Sequence, residues 1–212
     1  MDMIIRNETE NDHRVVEDIT REAFWNLYLP GCNEHYLVHI MRNHPDFISA
    51  LDFVAVCDGK IVGNIMYTKS WLIDENDRQM EIVSFGPLCV SPEYQRKRIG
   101  GALIDHTKKI AIKNRVAAIV ILGDPHNYCK HGFKSAKDFN ISDINGNYPT
   151  GMLSLELEAG VLAGHKWKYK HSSVYEINEK DVDEYDNGFI KKEKRYNYTQ
   201  EIFSILFRSY VK

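Results

Sequence analysis

Three consecutive cations, Arg96, Lys97 and Arg98, lead into Gly100 and Gly101 and then into an apolar segment with helical spacing. A β-rich stretch precedes them, so the group falls where a strand passes into a helix. The first N–H groups of a helix lack intrahelical partners and the helix dipole is positive there, which favours a bound phosphate. Glycine lets the backbone approach a ligand closely, and arginine can hold phosphate through two hydrogen bonds. The pattern therefore predicts a phosphate-binding turn.

Two common phosphate motifs do not occur in the sequence. It contains neither the Gly-x-x-x-x-Gly-Lys-Ser/Thr string of a P-loop nor the Gly-x-Gly-x-x-Gly string of a dinucleotide-binding turn. The turn instead reads Gln95, four variable residues, Gly100 and Gly101. This is a different phosphate-binding design, set between a strand pair and a later apolar strand.

The strands that must position this turn follow from local patterns. β-rich runs flank Asp58-Gly59, a dipeptide that favours a tight hairpin turn, and a second strand pair flanks the polar loop 74–78. The continuous apolar run 116–122 fits a strand buried on both faces. Pro87 cannot donate to a β-ladder, so we expect either a strand edge or a bulge there, and Gly86 beside it permits a bulge at which the pairing breaks.

Helical spacing of apolar residues predicts helices over 12–28 and 34–42 and after Gly100. The charged stretch 179–198 reads as a solvated connection, followed by a last helix that Thr199 could cap. Alternating strands and helices with no interrupting linker predict one α/β domain.

Charge and composition narrow the function classes. The chain has 212 residues and a formal charge of −3, which disfavours nucleic acid as a partner. No run is long enough to span a membrane, and 1–12 lacks the pattern of a secretory signal, so we expect a cytoplasmic protein. The four cysteines are scattered, and we expect them to be free thiols.

The turn and its surroundings resemble a known family. Residues 88–90, followed by 92–100, resemble the acyl-CoA-binding signature of the GNAT superfamily of N-acetyltransferases. The string GDPHNYCKHGF is similar to that family's Tyr-x-x-x-Gly-Phe element, with Tyr128, Gly132 and Phe133 in the matching places. The resemblance covers about 3–154 and extends to small bacterial members of the superfamily.

This resemblance implies the GNAT fold, a mixed and mostly antiparallel sheet with a splayed parallel strand pair, flanked by helices. It implies a GNAT domain over 1–168 and a C-terminal extension over 169–212. It also implies that pantetheine fills the gap between the splayed strands, while the pyrophosphate lies on the backbone of the turn. The residues expected to contact acetyl-CoA are Leu88, Cys89, Val90, Gln95, Arg96, Lys97, Arg98, Ile99, Gly100, Gly101 and Asn127.

Arg98 stands where the family's signature has its first glycine. A left-handed φ would strain an arginine by about 1 kcal/mol. We therefore expect Arg98 to have entered the helix already, where a side chain is tolerated.

The resemblance also implies roles in catalysis. Tyr128 matches the tyrosine that commonly protonates the leaving thiolate of coenzyme A. A general base is not identified, and Glu34, His35, Glu81 and His126 all stay open as candidates. The string from His126 to His131 lacks a second ligand cluster, so we expect no metal. Cys89 is expected to be a small buried residue rather than a nucleophile.

The resulting hypothesis is transfer of an acetyl group from acetyl-CoA to a primary amine by direct attack in a ternary complex. The acceptor is a small molecule or a peptide of unidentified structure, and a homodimer stays open. The alternative is an acyl-CoA-binding module or regulator that has lost the chemistry. The C-terminal extension could line the acceptor site or form a dimer contact.

Overall fold

The computed structural model describes residues 2–212, in which nine strands form one mixed sheet. The strands are β1 (Met3–Asn7), β2 (Phe53–Cys57), β3 (Lys60–Ile73), β4 (Gln79–Val90), β5 (Ala118–Leu122), β6 (Lys134–Ser135), β7 (Ile141–Ser142), β8 (Met152–Glu156) and β9 (Trp167–Lys170). Their order in the sheet is β1-β2-β3-β4-β5-β8-β6, and β9 pairs with both β3 and β7. The β4–β5 and β7–β9 pairs are parallel and the others antiparallel, which confirms the predicted mixed and mostly antiparallel sheet.

Six α-helices surround this sheet within the described chain. They are α1 (His13–Phe24), α2 (Glu34–Met41), α3 (Ile99–Lys113), α4 (Pro125–Tyr128), α5 (Glu179–Asp186) and α6 (Tyr198–Arg208). The predicted helices at 34–42 and after Gly100 are confirmed, and the predicted helix 12–28 ends early, at Phe24. Across residues 2–212, no helix combines the length and the apolar character needed to cross a membrane.

Two expectations about the C-terminal region are wrong. The stretch 179–186 is helix α5 rather than a solvated connection, because Asn178 caps its first turn and Val182 packs into the protein interior. Thr199 does not cap α6, which begins one residue earlier. Its hydroxyl instead donates to the Leu27 carbonyl at 2.8 Å and so ties α6 to the α1–α2 connection.

The predicted β2–β3 hairpin is confirmed at Asp58-Gly59. Both residues have positive φ, +48° and +79°, as a tight two-residue turn between right-twisted strands requires. Helix α3 packs on one face of the sheet through apolar residues such as Ile99 and Leu103, and α2 packs on the other through Val38 and Met41. The buried apolar residues of these two layers form the core that fixes the sheet.

The strand pair at the centre of the sheet diverges. Parallel pairing of β4 with β5 is limited to Val83 opposite Ile119. On the other edge of β4, Phe85 pairs with Tyr67 and Leu88 with Ile65, so two residues, 86 and 87, face one residue of β3. This confirms the bulge predicted from Pro87. The predicted domain division after residue 168 falls inside β9 and stays a prediction.

Candidate active site

A cleft of about 830 Å³ opens where β4 and β5 diverge. All of the residues predicted to contact acetyl-CoA line this cleft except Lys97, and Tyr128 lines it too. The Lys97 ammonium lies 4.8 Å from the centre of the Tyr94 ring instead. The fold therefore brings the predicted strand, turn and tyrosine together at one cavity.

One side of the cleft is an unpaired strand edge. Residues 88–90 of β4 pair with β3 on one edge, while their other edge lies beyond the last β4–β5 pair and faces the cleft. Ser84 closes the narrow end, since its hydroxyl lies 2.6 Å from both the Val120 carbonyl and the Tyr169 hydroxyl. Such an open edge can pair with an extended ligand as an added strand does.

The N-terminus of α3 lies at the mouth of the cleft. The Ala102 N–H makes the first bond of the helical ladder, to the Arg98 carbonyl at 3.0 Å. The amides of Ile99, Gly100 and Gly101 precede that bond and lie in the region where a helix favours an anion. This geometry matches the phosphate-binding turn predicted from the sequence.

The expectation for Arg98 is wrong. Arg98 has φ +66° and ψ +11°, which places it in the left-handed region ahead of α3 rather than inside the helix. Arg96 also has a positive φ, +62°. Left-handed residues placed among ordinary ones turn backbone N–H groups toward a common point, which forms an anion-binding concavity. Each arginine carries a strain of about 1–2 kcal/mol in this conformation.

The two glycines of the turn differ in their surroundings. A Cβ at Gly101 would lie 2.8 Å from Cε1 of His131, so a larger residue there would require the His131 ring to shift. A Cβ at Gly100 would lie 3.6 Å from Val90 and 3.9 Å from Leu88, at ordinary contact distances. It would project toward the open strand edge, where a larger side chain would compete with a ligand.

Tyr128 stands at the end of α4 and faces the cleft. Its ring packs 5.7 Å from the ring of Phe85, and Gly123 makes room for it, because a Cβ there would lie 2.4 Å from the tyrosine ring. Burial raises the pKa of Tyr128, so its phenol keeps its proton at neutral pH. Across residues 2–212, the Tyr128 hydroxyl takes part in no hydrogen bond, which leaves it available to a ligand.

Of the four base candidates, only Glu34 lines the cleft. It begins α2, and its Oε2 accepts the Asn33 N–H at 3.0 Å. Burial raises the pKa of Glu34 to about 7. A carboxyl with that pKa is partly ionised at neutral pH and can take up a proton from an ammonium.

The other three candidates lie outside the cleft. His35 is fully buried between Cys32 and Asp186, and burial lowers its pKa to about 4. Glu81 is exposed and lies 3.6 Å from the Lys69 ammonium. His126 is an exposed residue of α4. The geometry therefore supports Glu34 alone.

Cys89 lines the cleft, but its thiol is not activated as a nucleophile. The Sγ atom accepts a hydrogen bond from the Thr20 hydroxyl at 3.3 Å, and burial raises the pKa of Cys89 to about 11. The thiol is therefore protonated at neutral pH, whereas a cysteine nucleophile reacts as the thiolate.

Several lining residues come from the C-terminal region, which the sequence suggests as a lining of the acceptor site without indicating which of its residues face the cleft. Tyr175 holds the bulge, because its hydroxyl lies 3.3 Å from the Gly86 carbonyl and 3.2 Å from the Thr68 hydroxyl. The other lining residues from this region are Tyr169, His171, Phe203 and Phe207. The apolar stripe of α6 is visible in the sequence, but only the tertiary fold shows which of its residues face the cleft.

The comparisons with known proteins agree with this geometry. Residues 50–135 match the family model described as an acetyltransferase (GNAT) domain. YjhQ of Escherichia coli K12, named an uncharacterized N-acetyltransferase, is 33% identical over 89 residues, or 40% of this chain. That match spans 46% of YjhQ, about half its length. YhbS of the same organism, also named an uncharacterized N-acetyltransferase, is 27% identical over 135 residues, 63% of this chain and 75% of YhbS.

Solved structures share the fold. The Escherichia coli YhbS structure in complex with CoA has a TM-score of 0.71 at 21% identity, covering 82% of this chain and 92% of that one. A GNAT family acetyltransferase from Brucella melitensis in complex with acetyl-CoA has a TM-score of 0.64 at 21% identity, covering 82% and 98%. The family model, the relatives and the shared fold together support membership of the GNAT superfamily for this chain.

Proposed function

We propose that this protein is an N-acetyltransferase that moves the acetyl group of acetyl-CoA to a primary amine by direct attack in a ternary complex. The observation that carries the proposal is one continuous cleft. It joins the open edge of β4, the start of α3, the Tyr128 hydroxyl and the Glu34 carboxyl. The first two features fit the donor, and the last two can move protons.

In this proposal acetyl-CoA lies along the cleft with its pantetheine arm beside β4 and its pyrophosphate at the start of α3. The open edge at 88–90 would pair with the amides of the pantetheine arm, and the N-terminal amides of α3 would hold the pyrophosphate. Arg96 and Arg98 line the same end of the cleft and add positive charge. The relatives from Escherichia coli and Brucella melitensis are described with CoA and acetyl-CoA, which supports this class of donor.

The reaction needs three proton transfers. Glu34 takes a proton from the ammonium, and the free amine attacks the thioester carbonyl, so that a C–N bond forms. A backbone N–H on the open β4 edge stabilises the oxyanion. The C–S bond then breaks, and Tyr128 donates a proton to the leaving thiolate. The nitrogen still carries one proton more than the amide product and passes it through water to the Tyr128 phenolate, and Glu34 releases its proton to solvent. The raised pKa of Tyr128 keeps that proton in place until the thiolate forms.

The alternative is an acyl-CoA-binding module without chemistry. Such a module needs the strand edge and the helix start but no proton donor or acceptor beside them. The unbonded Tyr128 hydroxyl and the cleft-lining Glu34 favour the enzyme.

The test combines a binding assay with a turnover assay. Coenzyme A at a hundredfold excess over its Kd should stabilise the fold by about 2.7 kcal/mol in a melting scan. Each of a panel of primary amines is incubated with acetyl-CoA, and we expect release of free thiol and detection of the acetylated amine by mass spectrometry. A control without amine corrects the thiol signal for the exposed Cys129 of the protein itself. A thermal shift without turnover of any amine would support the binding module, and no thermal shift would refute the donor assignment.

A further inference from the structure

Four aromatic residues form a continuous row along one wall of the cleft. Ring centres lie 5.8 Å apart for Phe24 and Tyr28, 4.1 Å for Tyr28 and Phe203, and 4.1 Å for Phe203 and Phe207. All four line the cleft and are half-buried, so part of each ring stays open to it. We call these residues the aromatic row.

Helix α6 carries two members of the row, Phe203 and Phe207, and is attached to the rest of the protein at both of its ends. At its start, the Thr199 hydroxyl donates to the Leu27 carbonyl at 2.8 Å, and the side-chain amide of Gln200 donates to the Asn26 carbonyl at 3.1 Å. Past its end, the Thr150 N–H donates to the Ser209 carbonyl at 2.9 Å. The helix therefore bridges two segments that are distant in sequence, with Phe203 facing the cleft and Ile202 exposed on the outside.

Charge in the cleft is distributed unevenly. Among the cleft-lining residues of the described chain, Glu34 is the only carboxylate. Burial is the main cause of the raised pKa of Tyr28, and the carboxylates of Glu34 and Asp124 add to it, so Glu34 lies near the aromatic row. Asp124 is also close to Tyr28 but does not line the cleft. The cations that line the cleft, Arg96, Arg98 and Lys130, belong to the turn before α3 and to the segment after α4.

One carboxylate can pair with one ammonium. The further ammonium groups of a polyamine or an aminoglycoside would meet apolar rings or like charges, and an unpaired charge is costly to bury. Aromatic faces bind aromatic and apolar groups well, and they also attract a single cation. The wall therefore selects for low charge and apolar surface in the acceptor.

We infer that the acceptor is a monoamine whose amino group is joined by a short linker to an aromatic or other bulky apolar body. The body packs on the aromatic row and the amino group reaches Glu34. This inference rests on the proposed acetyltransferase function, whose acetyl acceptor it specifies.

The first experiment compares the kcat/KM values of several amine acceptors, with acetyl-CoA as the donor in every case. We expect 2-phenylethylamine to have a kcat/KM at least tenfold above that of n-butylamine, spermidine or kanamycin, because burying a phenyl ring in an apolar site is worth about that factor or more. An equal or higher kcat/KM for spermidine or kanamycin overturns the inference. An equal value for n-butylamine overturns it as well.

The second experiment tests the wall itself. Phe203→Ala should raise the KM for 2-phenylethylamine about tenfold or more, because it removes a ring from the apolar wall, and should raise the KM for n-butylamine less, because that amine has no ring to pack there. Phe203→Leu keeps an apolar side chain that supports folding and should give a smaller rise. Ile202→Ala, on the exposed side of the same helix, is the matched control. Equal effects of the Phe203→Ala and Ile202→Ala variants overturn the inference.

A binding measurement separates this inference from the proposed function. Calorimetric binding of 2-phenylethylamine to the CoA-loaded protein without turnover would support the amine site and overturn the enzyme proposal. Turnover of spermidine without that of 2-phenylethylamine would keep the enzyme proposal and overturn the inference. Neither binding nor turnover with any amine overturns both.

Discussion

Replacing Glu34 with Gln should stabilise the fold at neutral and alkaline pH but not in acid. The pKa of Glu34 is raised by burial from 4.5 to about 7, so the folded state keeps a proton that the unfolded state releases between these values. The free energy of unfolding of the wild type therefore falls as pH rises from 4.5 through 7. Gln has the same shape and cannot ionise, so the free energy of unfolding of the variant should not fall over this pH range through this group.

The size of the effect follows from the same pKa values. Each pH unit between 4.5 and about 7 is worth about 1.4 kcal/mol, so the full difference reaches about 3 kcal/mol above pH 7. The side chain is only partly buried, and solvent screening lowers the expected value to about 1–3 kcal/mol. A chain of this length should gain roughly 2–4 °C in Tm for each kcal/mol.

The assay is urea unfolding of both proteins at pH 5, 6, 7 and 8. The stability difference should be small at pH 5 and level off above pH 7, and any constant offset reflects packing rather than ionisation. Glu93→Gln, at an exposed position, is the matched control. A difference that stays flat, or grows toward acid, would refute the assignment of a high pKa to Glu34. Acetyl transfer should fall in the variant, with loss of the rise in kcat/KM through pH 7.

Gly100→Val should abolish the thermal shift with coenzyme A, because its side chain would enter the space beside Leu88 and Val90, whereas Lys97→Ala should only weaken the shift. Equal losses would show that side-chain charge dominates donor binding. Tyr128→Phe should lower kcat about 10²–10⁴-fold, the usual worth of a general acid, and keep the thermal shift. Full activity under rate-limiting chemistry would make Tyr128 a packing residue. Arg98→Gly should raise the free energy of unfolding by about 0.5–1 kcal/mol, as relief of left-handed strain exceeds the entropy that glycine adds to the unfolded chain. Urea unfolding that shows equal or lower stability would contradict that expectation.

The sequence predicts the features that depend on neighbouring residues. The turn at Asp58-Gly59 and the start of α3 follow from side-chain size and backbone freedom over a few positions. The bulge at Pro87 follows from a missing N–H group. In each case the physical cause lies within the segment itself, so the structure agrees with the local pattern.

The features that depend on distant segments were not predictable. The high pKa of Glu34 arises because other parts of the chain bury it, and its sequence neighbours carry no sign of that burial. Phe203 reaches the cleft because α6 stacks it on Tyr28, a contact across 175 positions of chain. Arg98 shows a different limit, since a binding turn can hold a residue in a conformation that its type disfavours.

Because α6 is attached mainly by its two ends, the wall of the cleft that contains α6 should open more readily than the wall formed by β4. Gln200 is the only buried residue of this helix, whereas β3 and β4 lie at the centre of the core. Segments with little buried surface open locally at a much lower free energy than the core. We expect α6 amides to exchange hydrogen before those of β4. Under the proposed function, the wall that contains α6 would then open for an amine to enter or an amide to leave while the strand proposed to hold the donor stays folded.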